Sequence, residues 1–368
     1  KEFIKNGLTV SVYGMFDFHE LEHEGINFYN LKFWNVRMKM KYLIFVDYAG
    51  FVPICQYDKI FNKINCDNIF VDCNNNLFNL YKYINENNHD KVKFVTKNPY
   101  HQLMNPPEFR NLLRYKIDTI IVPNGINKEL FTKDYDVKRE PKRFCYTSNY
   151  INGLEPILEY AWPLIKKEHP DAELHVYYGH DQRDEHLSAN LKKLLIQDGV
   201  YEHGRVSHKE IAIEMKKASF LYYYVASPNE SDCMSVMEAM ASGCIPVIWD
   251  KNVYSRFQGL VVPLDPSEKK NHITVAERLI QLLNNDGERE MVSNQLKNLP
   301  SIITNEMAGQ IYMAAFKGDF IKHEFNQQPP PPPKDFNIPE NIDLSRYVDS
   351  SSDSDSDVEY ESDSDSDD

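Results

Sequence analysis

Asn229-Glu230-Ser231-Asp232-Cys233-Met234-Ser235-Val236-Met237-Glu238-Ala239-Met240-Ala241-Ser242-Gly243-Cys244-Ile245-Pro246-Val247-Ile248 carries more structural information than any other part of this chain. Met234, Met237 and Ala241 recur at three- and four-residue spacing, which predicts a helix with a buried stripe starting near Asp232 to Met234. Gly243 is placed to stop it, because glycine takes the left-handed cap without strain. Cys244 to Ile248 is a continuous apolar run, the signature of a buried parallel strand, and Ser219 to Val225 reads as another strand upstream. Strand, loop, helix and strand make a βαβ unit whose loop lies at the carboxyl end of a strand, where open α/β sheets bind ligands.

The first turn of such a helix presents unpaired N–H groups and the positive end of a dipole. A diphosphate suits that place. Glu238 falls in the second turn, where it can accept hydrogen bonds from hydroxyl groups. Glu230 precedes the helix, so the two carboxylates flank that place. The plainer reading makes Glu230 a helix-entry residue and Glu238 a solvated one.

Alternation of strand-like and helix-like segments extends in both directions. Tyr42 to Val46, Asn68 to Val71, Lys93 to Thr96 and Thr119 to Val122 read as strands, with a helix-like stretch from Asn76 to Asn85 between them. Residues 136–142 are polar and separate this half from a second alternating series. Its helices are expected at Leu154 to Lys167 (kinked by Pro163), His186 to Asp198, His208 to Ala218, Val275 to Asn285 and Asn305 to Phe316. At the beginning, Glu2 to Gly7 looks like the end of a helix with its glycine cap, and Leu8 to Tyr13 like a strand.

Together these segments resemble glycosyltransferases of the GT-B fold, close to family 4. That family carries Glu-x7-Glu followed by Ala-Met-Ala-x-Gly-x-Pro-Val. Three other places match. Val122-Pro123-Asn124-Gly125-Ile126 with Phe131 is similar to the stretch linking the two domains. Arg143 to Ser148 with Asn152-Gly153-Leu154 is similar to the first strand and phosphate-facing loop of the nucleotide domain. Asp171 to Gly179 and His203-Gly204-Arg205-Val206 are similar to its next elements.

The resemblance covers residues 3 to 318. It implies an α/β protein of two doubly wound Rossmann-like domains facing a cleft, the first lacking its opening strand, loop and helix. The division expected is 1–136 for that truncated domain, 137–320 for the nucleotide-sugar domain, 321–348 for a proline-containing linker and 349–368 for an acidic tail. The implied reaction is retaining transfer of a sugar, of hexosyl type, from a nucleotide diphosphate to a hydroxyl acceptor on a glycan, lipid or protein. It implies Glu230 as the catalytic residue and a donor site of Glu238, Cys233, Met234, Ser235, Asn152, Gly153 and Arg205. His101 and Asn124 are weaker acceptor-side candidates, more simply a loop histidine and a turn residue. No cofactor and no metal is needed in that fold.

The chain departs from the family pattern at four places. Asn152 stands where relatives carry a basic residue facing the diphosphate, with Arg205 or Lys209 as candidate substitutes. Asp232 replaces an aromatic residue. Asp72 and Cys73 replace a histidine at the end of a first-domain strand. The opening unit of the fold is missing. These departures favour an alternative, a nucleotide-binding module with impaired chemistry or a protein acting through its tail.

Composition bounds the rest. With 368 residues and 42% hydrophobic content the chain has the length and core of two globular domains. Abundant Asn, Lys, Ile and Tyr suggest an AT-rich genome, such as that of a large DNA virus. No apolar run is long enough to span a membrane, and no signal peptide is visible. Six scattered cysteines without Cys-x-x-Cys spacing fit a reducing compartment, so a cytoplasmic location is expected, with peripheral membrane association an alternative. Cys233 reads as a small residue allowing close approach, or as a thiol activated by the helix start. Net charge is −14, but residues 349–368 hold ten acids and no base, so the remainder is mildly acidic and has no basic stripe for nucleic acid. Five prolines (329–333) form a stiff spacer. The Ser-Asp repeat after it self-repels, and it reads as a solubilising or partner-binding arm with kinase-accessible serines.

Overall fold

The computed structural model describes residues 1–35, 37–46, 63–72, 89–98, 118–179, 188–226, 230, 232–297, 299 and 301–319. The expected helix from Asn76 to Asn85, Cys73, His101, the proline spacer and the acidic tail lie outside the described residues.

The second half of the chain folds around six strands: β8 (Glu140–Tyr146), β9 (Glu173–Tyr177), β10 (Val200–Gly204), β11 (Ala218–Tyr222), β12 (Ile245–Trp249) and β13 (Leu260–Val262). All pair in parallel, in the order β10-β9-β8-β11-β12-β13. Every residue of β11 and β12 is buried, as their unbroken apolar runs require when helices cover both faces. Phe144 and Phe220 stack at 5.0 Å across the β8–β11 pair. Trp162 lies fully buried against Phe144 and donates its indole N–H to the Asp198 carbonyl at 3.0 Å. β8 begins at Glu140, inside the polar stretch expected to separate the two halves, because its backbone extends the ladder with Ala218.

The helix expected from Leu154 is present, but Pro163 changes it in a specific way. Leu154–Pro156 is α-helical, Ile157–Ala161 is a π-helical turn, and Trp162–Glu168 is α-helical again. The wide turn carries the chain past a residue that has no N–H to give. The helix His208–Lys217 opens with a reciprocal capping box between Ser207 and Glu210.

In the first half, β4 (Met40–Val46), β5 (Cys66–Asp72), β6 (Val92–Thr96) and β7 (Thr119–Ile121) form a parallel sheet in sequence order. The helix Asn305–Phe316 packs on it. Ala315 and Phe316 join Phe70, Val95, Ile120 and Val122 in one core, and Tyr42 stacks on Phe316 at 4.1 Å. The end of the chain's second half thus buries its apolar face on the first sheet.

The strand expected near Leu8 to Tyr13 is present as β1 (Val10–Gly14), outside the four-stranded sheet. It pairs with β3 (Ile26–Asn30) in a small mixed sheet that also holds β2 (Glu20–His23). β2 and β3 are joined by Glu24 and Gly25, both at positive φ (52° and 77°), the turn that suits right-handed strand twist. The helix Glu2–Lys5 and Gly7 at φ +78° are as expected. That helix lies so close to the final helix that a Cβ at Gly309 would fall 2.7 Å from Glu2 Cβ. No described helix is long and apolar enough to cross a membrane.

Candidate functional site

In the six-stranded sheet the strand order reverses between β8 and β11, and ligands of such sheets bind in the crevice outside the carboxyl ends of those two strands. The loop after β8 carries Ser148, Asn152 and Gly153. The segment after β11 carries Tyr223 to Ala226, Glu230 and Asp232 to Met234. The two approach closely: Ser148 donates to Tyr223 Oη at 3.4 Å, and the Asn152 side-chain amide donates to Ser148 Oγ at 3.1 Å. Gly153 has φ +106°, and a Cβ there would lie 2.9 Å from Val225. Gly153→Ala is therefore expected to cost about 1–3 kcal/mol from the strained backbone and the forced separation of the loops. Thermal unfolding of the variant measures this, and an unchanged midpoint would mean the loops yield freely.

The helix Met234–Ser242 starts at this crevice. Cys233 is its N-cap and supplies no side-chain cap bond. Gly243 ends it at φ +77°. Met234, expected in the buried stripe, is 46% exposed, whereas everything from Val236 to Ser242 is buried. The cause is that the helix is covered on all sides beyond its first turn, so it shows no stripe. Ser235 is half-buried. Burial drives the Cys233 thiol well above its ordinary range, with the nearby Glu230 charge adding to the effect, so the activated-thiol reading is set aside.

Asp232 does not face the helix opening as a bare charge. Its side chain is fully buried and pairs with the Arg256 guanidinium. Its Oδ2 accepts the Asn124 backbone N–H at 2.6 Å, and its carbonyl accepts from the Asn124 side chain at 3.3 Å. Burial raises its pKa, and the Arg256 charge opposes that rise. This one residue joins the start of the helix to the Val122 to Ile126 stretch and to the segment after β12. Asn124 is engaged in that tie through both its backbone and its side chain. Glu230 Oε1 accepts the Asp232 N–H at 3.1 Å, shaping the entry to the helix.

Glu238 is buried, not solvated. Its Oε1 accepts from His208 Nε2 at 2.8 Å. His208 is the first residue of its helix, and its side chain is 62% exposed. The bond to Glu238 raises the His208 pKa, outweighing partial burial. Arg205 lies over the Tyr178 ring at 4.8 Å, near the carboxyl ends of β9 and β10.

The first sheet contributes charge at its own carboxyl ends. Asp72, last in β5, and Lys97, just after β6, form a buried ion pair at 2.6 Å, and Tyr312 donates to Asp72. The positive charge of Lys97 also acts on Asp232. Sequence motifs drew attention to Asp72 but not to Lys97, Arg256 or His208. No spacing rule links those three to the motif, although each is a basic side chain within a few residues of a strand or helix end. Among the described residues no group of three or more His, Cys, Asp or Glu side chains is placed to hold a metal ion.

Against this geometry, the family described as "Glycosyl transferases group 1" matches residues 128–299. The architecture is of the GT-B kind. The group 1 segment takes in β8 to β13, the crevice and both glutamates. Among solved structures, a mutant of S. aureus TarM, in complex with Fondaparinux, alpha-GlcNAc-glycerol and UDP, is similar at a TM-score of 0.54 and 16% identity, with 78% of this chain and 55% of that one covered. The pneumococcal O-GlcNAc transferase GtfA, in complex with UDP and GlcNAc, gives 0.55 and 14%, covering 76% and 56%. A glycosyltransferase from Rickettsia africae gives 0.55 and 15%, covering 76% of each chain. At these identities the likeness is one of fold, and this chain spans little more than half the length of the first two. No curated protein matches it in sequence.

Proposed function

We propose that the crevice binds a nucleoside diphosphate sugar and that the protein transfers the sugar, with retention, to a hydroxyl acceptor. The observation that carries this reading is the coincidence of three features at the strand-order reversal. These are a helix start without a side-chain cap, the buried carboxylate of Glu238 in the second turn, and Glu230 at the entry. The diphosphate sits against the N–H groups of Met234 and Ser235, with the Gly153 loop opposite. Glu238 takes the ribose and Glu230 faces the sugar. The bond from the anomeric carbon to the diphosphate breaks, and the bond to the acceptor oxygen forms on the same face through an oxocarbenium-like state, the acceptor's hydroxyl proton passing to the departing diphosphate.

Asn152 favours a second reading. A helix start supplies about 1–2 kcal/mol in a partly buried geometry, against the ~8 kcal/mol or more that catalysis requires. Asn152 brings no charge, and Arg256, the cation beside the helix start, is already paired with Asp232. A module that binds the nucleotide without turnover answers this arrangement as well.

Calorimetric titration with UDP, GDP and ADP, beside hydrolysis of the matching nucleotide sugars, separates the two. Turnover that falls about 10²-fold or more in Glu230→Gln, with nucleotide affinity kept, is the expected result for the enzyme. Binding without any turnover selects the module, and no binding at all removes both.

A further inference from the structure

His208 lies outside every motif that marks the crevice, yet its ring reaches the carboxylate that the proposed function assigns to the ribose. Three elements meet there. Glu238 stands in the second turn of Met234–Ser242. His208 opens the helix His208–Lys217. Phe131, fully buried in the short helix Lys128–Thr132, presses edge-on against the His208 ring at 5.5 Å and 80°. That contact flanks the ring on one side while Nε2 meets Glu238 Oε1 at 2.8 Å. The other oxygen, Oε2, makes no hydrogen bond to any described residue.

A glutamate side chain loses up to about 2 kcal/mol of rotamer freedom when it is fixed. A carboxylate already fixed before the ligand arrives spares the ligand that cost. A buried carboxylate also needs a charge-assisted partner to remain in place. His208 meets both needs while leaving Oε2 available.

We propose that His208 is a positioning residue for ribose recognition: it locks Glu238 through Oε1 so that Oε2 meets the vicinal hydroxyls of the nucleoside, giving preference for ribonucleotides over deoxy analogues. The proposal rests on the nucleotide reading of the crevice.

The test uses the full chain and whichever of UDP, GDP and ADP it binds tightest, beside the 2′,3′-dideoxy form of the same nucleotide. His208→Ala is expected to weaken the ribonucleotide about 5- to 30-fold and to leave the dideoxy form unchanged, since that form has no hydroxyls to offer Glu238. His208→Gln, which can place an amide N–H near the position of Nε2, is expected to restore most of the difference. Unfolding midpoints without ligand check that the variants fold, as the exposure of the ring predicts. Equal weakening of both nucleotides, or no rescue by glutamine, overturns the role of His208. Failure of the unaltered protein to bind any of the three overturns the nucleotide reading beneath it, a result distinguishable from the first.

Discussion

Glu238→Ala is expected to remove most of any thermal stabilisation that a nucleoside diphosphate confers on this protein. Hydrogen bonds from ribose hydroxyls to a buried carboxylate are charge-assisted, worth about 1.5–3 kcal/mol when one partner is lost. That corresponds to roughly 10- to 150-fold in affinity, enough to abolish a midpoint shift measured near the dissociation constant. The unliganded protein should lose little, because His208, the partner left behind, is largely exposed and turns to water. The measurement is a melting curve for parent and variant across a nucleotide series. A shift that survives intact in the variant takes the ribose away from Glu238.

Asp232→Ala is expected to produce the largest loss of stability, about 3–5 kcal/mol, the usual cost of breaking one side of a buried ion pair. The residue is fully buried, and two groups depend on it. Arg256 would keep a charge in a site where its Nε already has no bond among the described residues, and the Asn124 N–H would lose its acceptor. Asp232→Asn keeps an acceptor but removes the charge, so an intermediate loss is expected. The double change Asp232→Ala with Arg256→Met should recover part of the deficit, since it removes the orphaned cation together with its partner. Unfolding midpoints of the three variants supply the comparison. A single variant within a degree of the parent would show that the tie carries no stability. The consequence for function follows from position. Asp232 adjoins the helix start and holds Asn124, so loosening it should blunt the affinity for the diphosphate more than that for the nucleoside alone.

Much of the architecture was legible in the chain because it depends on local rules. The apolar run from Ile245 onward, the left-handed Gly243 and the glycine after Asn152 are set by neighbours within a few residues. The final helix was recognisable from its pattern, and its apolar face found the first sheet. Where local reading failed, a long-range partner had intervened. Met234 matched a helical stripe and lies exposed, because the helix is enclosed by neighbours from Val236 onward and its period no longer marks an inside and an outside. β1 was legible as a strand, whereas its partner β3 and the hairpin at Glu24-Gly25 are announced by no apolar pattern. Asp232 looked like a liability beside a phosphate site until Arg256, 24 positions away, turned its carboxylate aside.

By itself, then, the sequence determined most of the elements of the two alternating series, that their strands lie parallel under helices, and that two glutamates flank a helix opening. Only the tertiary structure decided which distant groups meet. His208 meets Glu238 across 30 positions, Asn124 meets Asp232 across 108, and Tyr312 meets Asp72 across 240. The physical reason is that backbone propensity and periodicity act over a turn or two. A buried charge is satisfied by whatever cation or amide the packed sheets bring within about 3 Å, and no spacing along the chain encodes that encounter.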